Sequence, residues 1–361
     1  MGPSGEGLDS GRSCIASSRW WIIAALTLAA CASPPLYTES TPPTVMMTAT
    51  AAGVLDMRGT YREALCRRLA GSSYSCDGVL RRLPGEPAPD PAFASVPMSD
   101  LAGRYRVGFV PGFMAECVKG IITPFADVLT ALRAAGIDAR ILDVGGRGST
   151  AENAERLALD ITASADDTRP FVIVAYSKGL PDVLELLVTR PAAAARVAAV
   201  VSLAGASNGS PLADRFRSTY ELLVARFPLA DCRPGTGQEL DDLRRDVRLE
   251  WWRRHAAAVS VPIFTLVTAP RRERVSRLMR PAYLTLARLE PRNDGNLLWY
   301  DQIPPGSRLL GYLDADHWGV ATPYAEQIPI AAPFFADSVP RPSIIEAALE
   351  VVSTSLPSGA W

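Results

Sequence analysis

Short runs that are apolar at nearly every position recur along the chain from residue 105 onward. Such runs are typical of strands buried on both faces, as in a parallel sheet. The predicted strands are Tyr105–Val110, Ala139–Val144, Phe171–Tyr176, Ala198–Leu203, Ile263–Val267 and Leu309–Leu313. Helical spacing is found at Phe125–Ala135, Ala151–Ala163, Pro181–Val188, Val275–Leu289 and Ile344–Val352. Because strands that alternate with helices form βαβ units, the sequence predicts an α/β fold with a mostly parallel central sheet flanked by helices.

The predicted α/β domain covers residues 105–340, and other segments flank or interrupt it. Residues 58–104 are expected to form an N-terminal extension, and residues 341–361 a closing helix and tail. Residues 211–258 break the alternation with helical sequence rich in Arg, Asp and Leu. This insertion is predicted to be a cap or lid.

The N-terminal 31 residues have the pattern of an export signal. Arg12 and Arg19 precede the apolar run Trp20–Ala30, which ends at Cys31. A basic flank, a short apolar stretch and small residues at its end are typical of a secretory signal. A run of about 11 residues is too short for a membrane core that needs roughly 20. We therefore expect the protein to be exported.

Two processing sites compete at the end of this signal. Residues 28–31 (Leu-Ala-Ala-Cys) resemble the bacterial lipobox, in which the cysteine, here Cys31, is lipidated. Alternatively, an A-x-A pattern would permit ordinary cleavage after Ala32. The lipobox implies a lipoprotein anchored in the cell envelope, and Ala32 then favours sorting to an outer membrane. Residues 32–57, rich in Thr, Pro and Ala, are predicted to form a flexible tether.

Export changes the interpretation of the cysteines. Outside the signal, four of the six cysteines remain: Cys66, Cys76, Cys117 and Cys232. In an oxidising compartment they suggest two disulfides, with buried free thiols as the alternative. Cys66 with Cys76 is the local choice, which would leave Cys117 to pair with Cys232. The chain contains no C-x-x-C pair, so nothing predicts a zinc or redox site.

Composition excludes one class of partner and narrows the candidate chemistry. The formal net charge is −1, and the basic residues are scattered, so the sequence predicts no nucleic-acid binding. The chain has only two histidines, His255 and His317. Any reaction that requires an imidazole base must therefore use one of them.

The strongest local motif is the strand Phe171–Tyr176 followed by Ser177-Lys178-Gly179. With Ala175 it matches the G-x-S-x-G nucleophile elbow, in which a strained strand-to-helix turn exposes the serine; alanine here replaces the first glycine. The backbone N–H of Lys178 would be one oxyanion donor. The second is expected from the Pro-Gly loop after the first strand, from Phe113 or Met114, and the sequence does not choose between them.

A serine nucleophile needs a base and an acid. His317 follows the last predicted strand, whereas His255 lies inside the presumed cap and is expected to be a surface residue. Asp294 lies in an Asn-Asp-Gly turn that can hold a carboxylate at a loop tip. Its rivals are an aspartate adjacent to the histidine, one that could cap a helix and one on a strand-like stretch, which are Asp316, Asp314 and Asp301. The order Ser177, Asp294, His317 is that of the α/β hydrolases.

Five motifs together resemble bacterial lipases and esterases of the α/β-hydrolase superfamily: VPGF, AYSKG, the Gly-Ser-Pro loop at residues 209–211, NDGN and DHWG. The resemblance covers roughly residues 105–335 and implies an α/β-hydrolase fold with a Ser177–Asp294–His317 triad. It implies hydrolysis of a small-molecule or lipid ester without a metal or organic cofactor. Trp251, Trp252, Leu222, Leu223 and Phe227 in the cap would favour an apolar acyl group, or are simply core.

Two other functions use the same scaffold. An acyltransferase of the cell envelope would form the same acyl-enzyme and pass the acyl group to another acceptor. A catalytically silent binding lipoprotein would keep the fold alone, because a fold does not imply an activity. The presence of all three triad residue types in the expected order favours the hydrolase.

Overall fold

A computed structural model of the chain describes residues 53–163, 167–215 and 233–356. In these residues eight strands form one sheet: β1 Leu55–Asp56, β2 Leu80–Arg81, β3 Arg106–Val110, β4 Ala139–Ile141, β5 Phe171–Tyr176, β6 Val197–Leu203, β7 Ile263–Thr268 and β8 Arg308–Leu313. The strand order is β1-β8-β7-β6-β5-β3-β4, all parallel, and β2 pairs with β8 in the antiparallel direction. The predicted α/β-hydrolase fold with a mostly parallel sheet is confirmed.

Helices cover both faces of this sheet. Their bounds are α1 Arg58–Leu69, α2 Cys76–Val79, α3 Met98–Ala102, α4 Ala126–Ala134, α5 Thr150–Thr162, α6 Gly179–Thr189, α7 Pro191–Ala194, α8 Pro211–Arg215, α9 Gln238–Asp241, α10 Arg245–His255, α11 Arg280–Leu286, α12 Tyr324–Gln327 and α13 Arg341–Ser355. The helix expected at 275–289 is divided into a 3-10 turn, Arg277–Met279, and α11, since Pro281 suits only the first turn of a helix.

The central strands are buried on both faces, which explains their continuous apolar runs. Every residue of β5 is buried, and its side chains alternate between two apolar clusters. Val172 and Val174 pack in the cluster with α1, α4 and α13. Ile173 and Ala175 pack on the other face with α5, α6 and α10. Because β3, β5, β6, β7 and β8 are parallel, the loops that follow them share one edge of the sheet.

The sheet takes strands from both sides of the boundary expected at residue 105. Leu55 and Asp56, at the end of the expected tether, pair with β8 as β1. Within the expected N-terminal extension, β2 pairs with β8, and α1 packs against α13 through a hydrogen bond of 3.1 Å from the Tyr61 hydroxyl to the Ile344 carbonyl. These segments are integral parts of the α/β domain, because they complete one edge of its sheet and cover one of its faces.

The described parts of the expected cap are helical and lie between β6 and β7. Trp252 of α10 is buried and its Nε1 donates to the Ser207 carbonyl at 3.0 Å. The Nε1 of Trp251 donates to Glu185 Oε2 on α6 at 2.6 Å. Both indoles therefore connect α10 by hydrogen bonds, one to the loop after β6 and one to α6. Leu222, Leu223 and Phe227 lie outside the described residues.

The structure joins Cys66 to Cys76 in a disulfide that ties α1 to α2, as expected. Cys117 is buried, but Cys232 lies outside the described residues, so their pairing stays a prediction. The signal segment, Cys31 and the tether before residue 53 also lie outside. Within the described part of the chain, no helix is both long and apolar enough to cross a membrane. The same residues contain no cluster of three or more side chains suited to a metal ion.

Candidate active site

Ser177 occupies a sharp turn between β5 and α6. Its φ is +54°, in the left-handed region that residues with a Cβ rarely adopt. Gly179 permits this turn, because a Cβ there would lie 2.4 Å from the Val110 carbonyl oxygen. Gly112 is constrained in the same way, since a Cβ added at this position would lie 2.8 Å from the Ser177 Cβ. The turn has the geometry expected of a nucleophile elbow, and the loop after β3 lies directly against it.

The structure brings Ser177, His317 and Asp294 together. Ser177 Oγ lies 2.8 Å from His317 Nε2. His317 Nδ1 lies 2.7 Å from Asp294 Oδ2. Ser177 lies in the loop after β5, Asp294 lies between β7 and β8, and His317 lies in the loop after β8. Such a line of hydrogen bonds can move a proton from the serine hydroxyl to the imidazole while the carboxylate orients the ring.

Asp294 is fully buried, and neutral donors surround it. Its Oδ1 accepts from the backbone N–H groups of Asn296 and Leu297 at 2.9 and 2.7 Å. Its Oδ2 accepts from Thr268 Oγ1 at 2.6 Å in addition to the imidazole. The Asn-Asp-Gly turn produces the backbone donors, with Gly295 at a φ of +95°. A buried carboxylate needs such partners, and here they also fix the direction in which it faces His317.

Tyr176, which the sequence analysis did not single out, contacts His317. Its hydroxyl donates to the His317 carbonyl at 2.6 Å, and the two ring centroids are 5.1 Å apart. The backbone N–H of His317 in turn donates to the backbone carbonyl of Asp294 at 3.0 Å. Burial raises the pKa of Tyr176 well above its ordinary value, so the phenol stays protonated and keeps donating. The only sequence signal was its position directly before the serine.

The rival aspartates are engaged elsewhere. Asp316 accepts backbone N–H bonds from Ser276 and Gly319 at 2.6 and 2.7 Å, which closes its own loop. Asp314 accepts from the Arg271 backbone N–H at 2.6 Å and pairs with the Arg271 side chain, so it does not cap a helix.

The other alternative acid, Asp301, and the alternative base, His255, also have other partners. Asp301 lies in a 3-10 turn, Trp299–Gln302, instead of a strand, and pairs with Arg245 at 2.9 Å. His255 is half-buried at the end of α10, with its ring 5.1 Å from that of Trp251.

Of the two candidate oxyanion donors in the loop after β3, Met114 has another partner. Its N–H donates to the Gly146 carbonyl at 2.8 Å, and its φ is +67°. The Met114 N–H is therefore engaged within the protein, and Phe113 is the other candidate. Lys178 directly precedes the first residue of α6, so its backbone N–H lies at the positive end of the helix dipole.

A cavity of about 440 Å³ lies beside β4, lined among others by Pro111, Ile122, Leu142 and Val144. None of Ser177, Asp294 and His317 lines it, so it is separate from the reacting atoms.

Comparisons with solved structures place the chain in a family. The chain is 35% identical to the metagenomic carboxyl esterase MGS0156, with a TM-score of 0.80 over 92% of this chain and 99% of that one. Lipase BlEst2 of Bacillus licheniformis in its propeptide form shares the fold, at 18% identity and a TM-score of 0.50 over 68% of this chain and 52% of that one. The sequence matches no protein-family model, and no curated protein matches it.

The fold is that of an esterase- or lipase-type α/β hydrolase. The chain belongs to the α/β-hydrolase family that includes carboxyl esterase MGS0156.

Proposed function

We propose that the protein is a serine-dependent carboxylic ester hydrolase with Ser177 as nucleophile, His317 as general base and Asp294 as the orienting acid. The observation that carries the proposal is the unbroken line of hydrogen bonds from Asp294 through His317 to Ser177, at 2.7 and 2.8 Å, on a strained elbow. The carboxyl esterase at 35% identity supports the ester as the substrate class.

The reaction follows from these positions. Ser177 Oγ attacks the ester carbonyl carbon while its proton passes to His317 Nε2. The oxygen that gains negative charge is stabilised by the backbone N–H groups of Lys178 and Phe113. His317 then returns the proton to the departing alkoxide, which leaves as the alcohol. A water molecule attacks the acyl-enzyme while His317 takes its proton. The acyl–Oγ bond then breaks, His317 returns the proton to Ser177 Oγ, and the carboxylic acid leaves. No step requires a metal or an organic cofactor.

The substrate is a small-molecule or lipid ester, and the enzyme works in the cell envelope. We base the location on the N-terminal pattern: the export signal and Cys31 favour a membrane-anchored lipoprotein of the cell envelope, in the periplasm or at an outer membrane. Replacing Cys31 with Ser in the full chain is expected to move the protein from the membrane fraction to the soluble fraction. Retention of the variant in the membrane fraction would contradict the anchor.

Hydrolysis of p-nitrophenyl esters from acetate to palmitate tests the activity directly. Ser177→Ala is expected to lower kcat by roughly 10⁴- to 10⁶-fold, because the nucleophile and base act as a unit. The matched control is Ser202→Ala, since Ser202 is a fully buried serine on the neighbouring strand β6 and has no role in the proposed reaction. Full activity in Ser177→Ala would overturn the nucleophile assignment. A wild-type protein that neither hydrolyses any ester nor reacts with a fluorophosphonate would overturn the proposed function.

A further inference from the structure

A line of buried polar contacts begins at the residue after Ser177. The Lys178 side chain is 2% exposed, and its Nζ donates to Asp182 Oδ1 at 2.7 Å. Asp182 lies one turn further along α6 and is equally buried. Its Oδ2 accepts from Asn153 Nδ2 on α5 at 2.8 Å. The contacts therefore cross from the helix of the elbow to the neighbouring helix within the protein interior.

The same line continues to the loop that carries Phe113. Asn153 Oδ1 accepts from the Gly145 N–H at 2.8 Å, and Asn153 Nδ2 also lies 3.2 Å from the Gly145 carbonyl. The carbonyl of the next residue, Gly146, accepts from the Met114 N–H at 2.8 Å. Met114 directly follows Phe113. The two backbone segments that supply the proposed oxyanion donors are thus connected by hydrogen bonds together with the peptide links from Gly145 to Gly146 and from Phe113 to Met114.

Stability alone gives a poor reason for this arrangement. Burying an ammonium and a carboxylate carries a desolvation penalty that their attraction only partly offsets, and apolar residues often replace such pairs without loss. Burial indeed raises the pKa of Asp182, although Lys178 and Asn153 act in the opposite direction. A directional network, by contrast, can hold a strained loop such as the one at Met114, with its positive φ, in a single position.

We propose that Lys178, Asp182 and Asn153 are positioning residues that keep the two oxyanion donors at a fixed separation. This inference rests on the proposed ester hydrolysis. The oxyanion forms only in the transition state, so a donor that shifts lowers transition-state binding and leaves substrate binding nearly unchanged. The loss is expected in kcat rather than in KM.

Asn153→Ala tests this inference, because it cuts the line between α6 and the Gly145 loop and leaves the Lys178–Asp182 pair in place. We expect kcat to fall by about 10- to 100-fold, with KM within about twofold. The inhibition constant of a trifluoromethyl ketone, which forms a tetrahedral oxyanion, should rise by the factor by which kcat/KM falls. The matched control is Glu350→Gln, which weakens a buried ionic contact to Arg67 and Arg68 on the other face of the sheet. Its kcat and inhibition constant should match those of the wild type.

Wild-type kcat in Asn153→Ala, or a reduced kcat with an unchanged inhibition constant, would overturn the inference. If Asn153→Ala does not fold, Asp182→Asn keeps the shape of the side chain. Lys178 and Asn153 donate to different oxygens of Asp182, and in the amide one of these two positions becomes an NH2 donor, so one of the two hydrogen bonds is lost. The same loss in kcat and inhibitor binding is expected there, and its absence counts equally against the inference. The proposed function has a separate test, Ser177→Ala, because the result of that variant does not depend on Asn153.

Discussion

Asp294 and Asp301 lie seven residues apart and are both fully buried, yet their surroundings differ. Asp294 accepts hydrogen bonds on both oxygens from backbone N–H groups, a threonine hydroxyl and the imidazole. Asp301 pairs with Arg245 through Oδ1 alone, and its Oδ2 has no partner within the described part of the chain. Burial raises the pKa of Asp301 to about 7, although Arg245 lowers it.

A buried carboxylate that orients a histidine needs donors in several fixed directions. Several neutral donors can solvate the negative charge from fixed directions, so one oxygen stays aimed at the imidazole. A single arginine holds its carboxylate as a structural contact, here between α10 and the segment before β8. The two aspartates, both candidates for the acid from the sequence, thus differ in the donors that surround them.

The largest expected effect breaks the comparison at Asp294. Asp294→Asn should lower kcat by about 10³- to 10⁴-fold, because the amide favours the wrong imidazole tautomer and cannot stabilise the imidazolium. Hydrolysis of a p-nitrophenyl ester at saturating substrate measures it. The control is Asp301→Asn, the same change at an equally buried carboxylate, which should keep kcat within about fivefold. Equal losses in the two variants would contradict the distinction.

The second effect concerns stability and pH. The pKa of Asp301 is about 7 in the folded protein, against about 3.9 when unfolded. Between these values the folded state holds a proton that the unfolded state releases, so the contribution of Asp301 to stability is complete below about pH 4 and is lost as the pH rises to 7. Asp301→Asn lacks this titration. The advantage of wild type over the variant in free energy of unfolding should therefore shrink by roughly 2–4 kcal/mol between pH 4 and pH 8.

Urea unfolding of the two proteins at both pH values measures this change. Other buried carboxyl groups with a raised pKa, such as Asp182 and Asp316, are present in both proteins and cancel in the difference. A difference that stays constant with pH would show that Asp301 is ionised throughout the range.

The sequence predicts the central strands and the positions of the three candidate residues well, for a physical reason. Strands such as Phe171–Tyr176 are apolar at every position because both faces are buried, and this pattern is visible without a structure. The turn at Ser177 needs a glycine two positions after the serine, and Asp294 lies in an Asn-Asp-Gly sequence that is typical of turns. With only two histidines in the chain, the choice of base was narrow.

The parts that could not be predicted depend on contacts between distant residues. The strands β1 and β2 have only two residues each and no apolar run, so only their pairing with β8 defines them. The donors to Asp294 are similar, since Thr268 lies 26 residues before it in the chain. The partner of Tyr176, the His317 carbonyl, is 141 residues away. Local sequence patterns carry no information about such pairs.

The smallest expected effect tests whether the neutral donors matter individually. Thr268→Val removes the hydroxyl that donates to Asp294 Oδ2 at 2.6 Å and keeps the shape of the side chain. Because the other donors remain, kcat should fall only about tenfold, or about 1.4 kcal/mol of transition-state stabilisation. Thr265→Val is the matched control on the same strand, since that buried hydroxyl has no hydrogen-bond partner among the described residues. It should leave kcat unchanged and the stability equal or slightly higher. Unchanged kcat in both variants would mean that the remaining donors, the backbone N–H groups and Gln302 Nε2, hold Asp294 without the hydroxyl. That result would contradict an individual role for the Thr268 hydroxyl.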